Sequence, residues 1–168
     1  MKYFFFLFIL LHQSLSAQDV LLHSHNDYLQ KQPLQTALVF QANSIEVDVA
    51  WFQGKIKVSH LNFALKEKPL LEDLYLKKML AQKDKLANVK FLMIDIKSGG
   101  EEILFALNNM ISEYDEIFAS RADTLSRKIR VVISGAANRQ AIVYNKKFNY
   151  LFADGNPGDL ITPLNSWL

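Results

Sequence analysis

Ser44-Ile45-Glu46-Val47-Asp48-Val49 is the stretch that decides how this chain folds. Ile45, Val47 and Val49 alternate with Ser44, Glu46 and Asp48, and a period of two is that of a β-strand, so both carboxylates fall on one face. Two anions one strand repeat apart repel each other, and each loses hydration. They need a cation. A hard divalent metal taking oxygen ligands supplies that charge and leaves positions open for a substrate's oxygens. A half-exposed strand whose polar face meets water shows the same alternation, so the neighbouring residues have to separate the two readings.

Upstream, Asp19-Val20-Leu21-Leu22 reads as a short strand that runs into the polar cluster His23-Ser24-His25-Asn26-Asp27-Tyr28. Pro33 suits a first helical turn, and Leu34, Ala37, Leu38 and Ala42 follow at helical spacing. Downstream, the Ser44 strand continues through Trp51 and Phe52 to a turn at Gly54. Lys55 to His60 then alternates as a returning strand that delivers His60 to the region of the carboxylates.

Further on, Pro69 opens a helix with Leu71, Leu74, Leu76, Met79 and Leu80 on its apolar side, and Lys77, Lys78, Lys83 and Lys85 on its wet side. Phe91-Leu92-Met93-Ile94 is the continuous apolar run expected of a strand buried on both faces, and it ends in Asp95-Ile96-Lys97. Gly99-Gly100 precedes a helix predicted to run from Ile103 to Phe118. A strand over 129–133 ends at Ser134-Gly135, a short helix spans about 138–145, and a last strand over 150–153 ends at Asp154.

Strand and helix alternate five times, and polar residues gather at the strands' carboxyl ends. This is an α/β chain with a parallel sheet, because each crossover returns the chain to the same edge. Five βα units fall short of an eight-stranded barrel of the triosephosphate isomerase type, for which about 250 residues are usual. The reading is therefore an incomplete barrel, truncated at its C-terminus, with 161–168 a non-native or frayed end.

Residues 1–17 read as a signal peptide, with an uncleaved anchor as the alternative: Lys2, an apolar run from Tyr3 to Leu11, and small residues from Ser14 to Ala17. That run is too short for a helix of about 20 apolar residues to span a membrane. It leaves residues 18–168 as the domain, expected in a secreted or periplasmic setting. Without Lys2 the balance is 18 basic to 17 acidic residues, which does not favour nucleic acid. The chain has no cysteine, so disulfides and thiolate metal sites are excluded.

Collected together, the strand ends offer His25, Asn26, Glu46, Asp48, His60, Asp95 and Lys97. The acids would hold a metal. The metal and Lys97 would carry the charge of a phosphoryl group, and the two histidines would share proton transfer as base and acid.

The succession His25-Asn26, Glu46-x-Asp48, His60 and Asp95-x-Lys97 resembles the phosphodiesterase superfamily of phosphatidylinositol-specific phospholipase C and glycerophosphodiester phosphodiesterase. His-Ser-His-Asn-Asp-Tyr followed by Glu-Val-Asp-Val is most similar to the branch named for altered inheritance of mitochondria protein 6. Over roughly 22–159, the resemblance implies a distorted barrel, a Mg or Ca ion, and cleavage of a small-molecule or lipid phosphodiester, the latter at a membrane surface. It implies His25 and His60 as the acid–base pair, Glu46, Asp48, Asp95 and Asn26 as metal ligands, and Lys97 as a support for Asp95 or the phosphate. Asn26 matches the phospholipases, where glycerophosphodiesterases commonly carry Arg. Leu61 stands where many relatives carry Asp after the histidine.

Two rival readings remain at this point. His23-x-His25 resembles the zinc site of amidohydrolases, but no histidine follows His60 to complete it. A five-stranded remnant retained as a binding module is the other. Blander roles are assigned to His23 (support), Asp154 (a turn) and the Trp51, Phe52 and Phe63 group (packing).

Overall fold

The computed structural model describes residues 20–123 and 126–155. The signal peptide expected at 1–17 and the end at 161–168 lie outside the described residues, as does most of the stretch after Asp154.

Six strands form one sheet: β1 (His23–Ser24), β2 (Ser44–Phe52), β3 (Lys55–Val58), β4 (Phe91–Ser98), β5 (Arg130–Gly135) and β6 (Leu151–Ala153). Five of them are parallel in the order β1-β2-β4-β5-β6, while β3 runs antiparallel on β2. Among the described residues, no ladder joins β1 to β6. The β2–β3 hairpin turns on Gln53 and Gly54, both at positive φ, the geometry that matches the twist of paired strands.

Alternation settles which face is which. Ile45, Val47 and Val49 of β2 are fully buried, as are Leu92, Ile94 and Ile96 of β4 and Val131 of β5. Against them lies the helix Glu101–Ser112, which buries Ile103, Leu104, Leu107 and Ile111. Each such side chain contributes roughly 1.5–3 kcal/mol when fully buried. Three further helices are short: α1 (Gln35–Val39), α2 (Lys77–Ala81) and, after the long helix α3 (Glu101–Ser112), α4 (Arg139–Tyr144). The Asn138 side chain caps α4 by accepting from the Ala141 amide at 3.1 Å.

Four expectations are corrected. The first strand lies at His23–Ser24, not 19–22, because the partner strand begins only at Ser44, and Leu22 meets just its start: its amide donates to the Asn43 side chain and its carbonyl accepts from the Asn43 and Ser44 amides. Strand β4 is buried on one face: Phe91, Met93, Asp95 and Lys97 on the other are half-buried, so the run of apolar residues hid an alternation. Helix α3 stops at Ser112, because the backbone of Ile117 and Ala119 pairs with Ile129 instead of continuing the helix. Finally, the helix after Pro69 begins as a π-helical turn, Glu72–Leu76, before α2.

Candidate active site

Strands β2 and β4 place Asp48 directly opposite Asp95, with Glu46 one repeat before Asp48 on the same face. One carboxylate oxygen from each of Glu46, Asp48 and Asp95 lies within 4.8 Å of the other two. The sequence-predicted acids therefore converge. Asp48 is fully buried, and Lys97 reaches it at 3.4 Å and Asp95 at 3.2 Å.

The partners of the six oxygens divide in a regular way. Glu46 Oε2 contacts His23 Nε2 at 2.8 Å. Asp48 Oδ2 takes the Tyr28 hydroxyl at 2.9 Å and His60 Nδ1 at 2.6 Å. Asp95 Oδ2 faces Lys97. The second oxygens stand apart: Asp48 Oδ1 and Asp95 Oδ1 are buried with no hydrogen bond, and the nearest ion-pair contact of Glu46 Oε1 is His25 Nε2 at 3.8 Å. Buried carboxylate oxygens without partners are costly. Three carboxylates, one oxygen of each within 4.8 Å of the others and two of them with a buried oxygen left without a hydrogen bond, fit the hard divalent cation, Mg or Ca, that the resemblance implies.

Local structure explains how the imidazoles arrive. Ser59 N–H donates to the Asp48 carbonyl at 3.0 Å, and Ser59 Oγ donates to the Leu61 carbonyl at 2.7 Å, fixing the turn that carries His60. The buried Lys57 ammonium donates to the carbonyls of Lys66 and Lys68, at 3.2 and 2.7 Å, and holds the far end of the same excursion. His60 is still 59 % exposed at its side chain, and His25 69 %. Each imidazole thus touches an acid of β2 while facing solvent.

Asn26 occupies the left-handed region at φ 49, a conformation that Asn tolerates. Its amide lies 3.4 Å from both ring nitrogens of His25. The structure gives it no hydrogen bond to the three acids.

Two residues of the polar cluster carry more than the sequence reading assigned them. Tyr28 donates to Asp48, and burial, then that hydrogen bond and the charges of Asp48, Glu46 and Asp95, push its hydroxyl well above the ordinary tyrosine range. Asp27 is fully buried and accepts from Ser24 Oγ at 2.8 Å, Leu34 N–H at 2.6 Å and Tyr75 Oη at 2.8 Å. It locks the His25–Tyr28 loop to the π-helical turn. In the sequence it stands as one more member of the polar cluster His23 to Tyr28.

Burial depresses the Lys97 ammonium more than any other single influence does. The hydrogen bonds and charges of Asp95 and Asp48 together outweigh it, and the group titrates above the usual lysine range. It stays a cation between two acids.

His23 plays the supporting part expected of it, with Nδ1 3.0 Å from Ser44 Oγ and Nε2 on Glu46. Both ring nitrogens are engaged by β2 side chains. Phe63 departs from the packing reading: it is 66 % exposed, and with Tyr28, His60, Leu61 and Leu74 it lines a groove of about 320 Å³ beside the acids. Trp51 does pack, against the residues around Gly99. Asp154 keeps a backbone role, its carbonyl accepting from Arg139 Nε at 2.7 Å. A larger cleft of about 450 Å³ opens near Lys83, Glu116 and Lys128, but none of the three acids lines it.

This ordered set of acids and imidazoles coincides with a family match. Residues 13–92 match the AIM6-like phosphodiesterase domain. The AIM6-like match covers His23 to Tyr28, Glu46, Asp48 and His60, and it stops short of Asp95 and Lys97. Asp95 and Lys97 join the other residues through the β2–β4 register and the contacts of Lys97 with Asp48 and Asp95. No curated protein matches the chain.

Proposed function

We propose that this chain is a metal-dependent phosphoric diester hydrolase, with Glu46, Asp48 and Asp95 as metal ligands, Asn26 beside them, and His25 and His60 as the acid–base pair. The observation that supports the reading is the convergence of three carboxylates, two of them with a buried oxygen that makes no hydrogen bond, flanked by two exposed imidazoles. When bound, Mg or Ca would neutralise charge on a phosphoryl oxygen.

The residues supply the rest. Asp48 accepts a hydrogen bond from His60 Nδ1–H, which leaves Nε2 as the nitrogen that takes up or delivers a proton at the substrate. His25 stands beside Glu46, where it would serve the opposite oxygen of the same diester. Lys97 holds positive charge at the floor, between Asp48 and Asp95, whether or not substrate is present. Tyr28, kept neutral, donates to Asp48 and fixes its carboxylate.

The same proposal takes the five parallel strands as part of a (β/α)8 barrel of the triosephosphate isomerase type, whose sites lie at the strands' carboxyl ends. It places the protein outside the cytoplasm, on the strength of the leader-like residues 1–17, and takes a small-molecule or lipid phosphodiester as substrate.

The test is hydrolysis of bis(p-nitrophenyl) phosphate by the full chain with Mg or Ca. Release of p-nitrophenolate that chelation abolishes, and that Glu46→Gln depresses, is the expected result. A folded chain that binds the ion yet hydrolyses nothing would make it a binding module. One that binds neither ion would sink the reading.

A further inference from the structure

Gly135 closes β5 at φ +77, paired in register with Ile96 of β4, and so it sits beside Asp95. A Cβ placed on it would overlap Asp95 Oδ1 and lie 2.5 Å from the Ile96 carbonyl oxygen and 2.9 Å from the Ile96 nitrogen. Real Cβ contacts are never that short. Asp95 Oδ1, the atom it would strike, is one of the partnerless buried oxygens, while Oδ2 of the same carboxylate holds Lys97. The carboxylate therefore rests against bare backbone on one side and an ammonium on the other.

We propose that Gly135 is a positioning residue: its missing side chain leaves the space that Asp95 Oδ1 occupies, and so sets how this carboxylate sits beside Glu46 and Asp48. A residue with a Cβ would force either the Asp95 carboxylate out of its present position or β5 away from β4. Positive φ alone does not explain the glycine's role. Gly54 has the same φ of +77 with nothing within 4 Å of a Cβ, so it carries the conformational cost of an alanine there without the collision. The two glycines form a matched pair that separates backbone strain from contact with Asp95.

The experiment uses the full chain and the variants Gly54→Ala, Gly135→Ala, Asp95→Ala and the Gly135→Ala/Asp95→Ala double. Urea unfolding and calorimetric titration with Mg²⁺ or Ca²⁺ alone are measured on each. Gly54→Ala should keep the wild-type ion affinity, whereas Gly135→Ala should lose about 10-fold or more, the range seen when the support of a metal ligand is removed. Gly135→Ala should also lower the unfolding midpoint more than Gly54→Ala does, and that excess should shrink once Asp95 is already alanine.

An equal loss in both backgrounds overturns the proposal, because the glycine would then serve only the Ile96 backbone. If Gly135→Ala does not fold, a double variant that does fold supports the contact, and one that also fails to fold overturns it. The ion-binding arm rests on the phosphodiesterase reading and the unfolding arm does not. A wild type that binds neither ion would sink that reading and leave the unfolding comparison to decide the case of Gly135.

Discussion

Asp48 Oδ2 and His60 Nδ1 stand 2.6 Å apart across a sequence separation of 12 residues, a contact made by folding β3 back along β2. The carboxylate is buried and the imidazole is mostly exposed. One side chain is thus anchored inside the protein through one nitrogen while its other nitrogen faces outward.

That arrangement predicts a separation of binding from turnover in His60→Ala. Asp48 would keep Tyr28 and Lys97 as partners and its Oδ1 would be untouched, so ion affinity should hold. Turnover should fall by about 10²-fold or more, the usual weight of a general acid or base. Calorimetry and phosphodiester hydrolysis on the same preparation check both halves. Unchanged turnover would remove His60 from the mechanism.

Glu46→Gln should behave differently. The amide keeps the size of the side chain but removes one of three anions around the cation position, and His23 loses a charged partner. Ion affinity and turnover should fall together, affinity by about 10-fold or more. Calorimetric titration with Mg²⁺ reads the first and hydrolysis the second. Wild-type affinity in this variant would mean that Glu46 is no ligand.

The legible and illegible parts of this fold differ in physical kind. Alternation in 44–49 gave both the strand and the shared face of Glu46 and Asp48, because side-chain direction in a strand follows from the backbone alone. The meeting with Asp95 came through too, since a polar residue closing an apolar run is conspicuous. What stayed hidden depends on partners distant in sequence. Asp27 looked like one more member of a polar loop until Tyr75, 48 residues on, was seen donating to it. No local pattern foretold the π-helical turn that delivers Tyr75, or the exposure of Phe63 beside the site. Gly135 read as a strand end, and only the register with β4 shows what a side chain there would strike.

Asp27 and Tyr75 give a third prediction, about the loop rather than the ion. Tyr75→Phe deletes one of three donors to a fully buried carboxylate, and should cost about 1–3 kcal/mol of stability. Asp27→Asn should cost a similar amount: its oxygen can still accept from Leu34 and Tyr75 while its amide donates to the Ser24 hydroxyl, but a neutral acceptor replaces a charged one. Leu34 sits at φ 66 with its N–H on Asp27, so hydrogen exchange at that amide should quicken in both variants. Urea unfolding with native-state exchange is the measurement. Protection of Leu34 unchanged in Asp27→Asn would show that the loop is held by something else.

The last prediction concerns alkaline pH. Burial, followed by the charge of Asp27 and the hydrogen bond to it, pushes the Tyr75 hydroxyl far above the ordinary tyrosine range. Tyr28 is raised by burial and by its bond to Asp48. Tyr114 is pushed up to about 12 by burial and by its hydrogen bond to Glu72. Lys97 is raised as well. All four groups therefore hold their protons in the folded state at pH values where the unfolded chain, with tyrosines near about 10 and lysines near about 10.4, releases them. Where the folded state binds more protons than the unfolded, stability falls as pH rises. The stabilisation is complete below about pH 10 and drains away as pH climbs through about 12 and beyond. The melting temperature should drop steeply across that window, and less steeply in Tyr75→Phe, which removes the most strongly shifted group. Phenolate absorbance followed during the same titration should lag behind that of the unfolded chain. A wild-type melting temperature that stays flat from about pH 9 to about pH 12 would mean that the three hydroxyls ionise as freely in the fold as in water. The hydrogen bonds from Tyr28, Tyr75 and Tyr114 to Asp48, Asp27 and Glu72 would then not hold in solution.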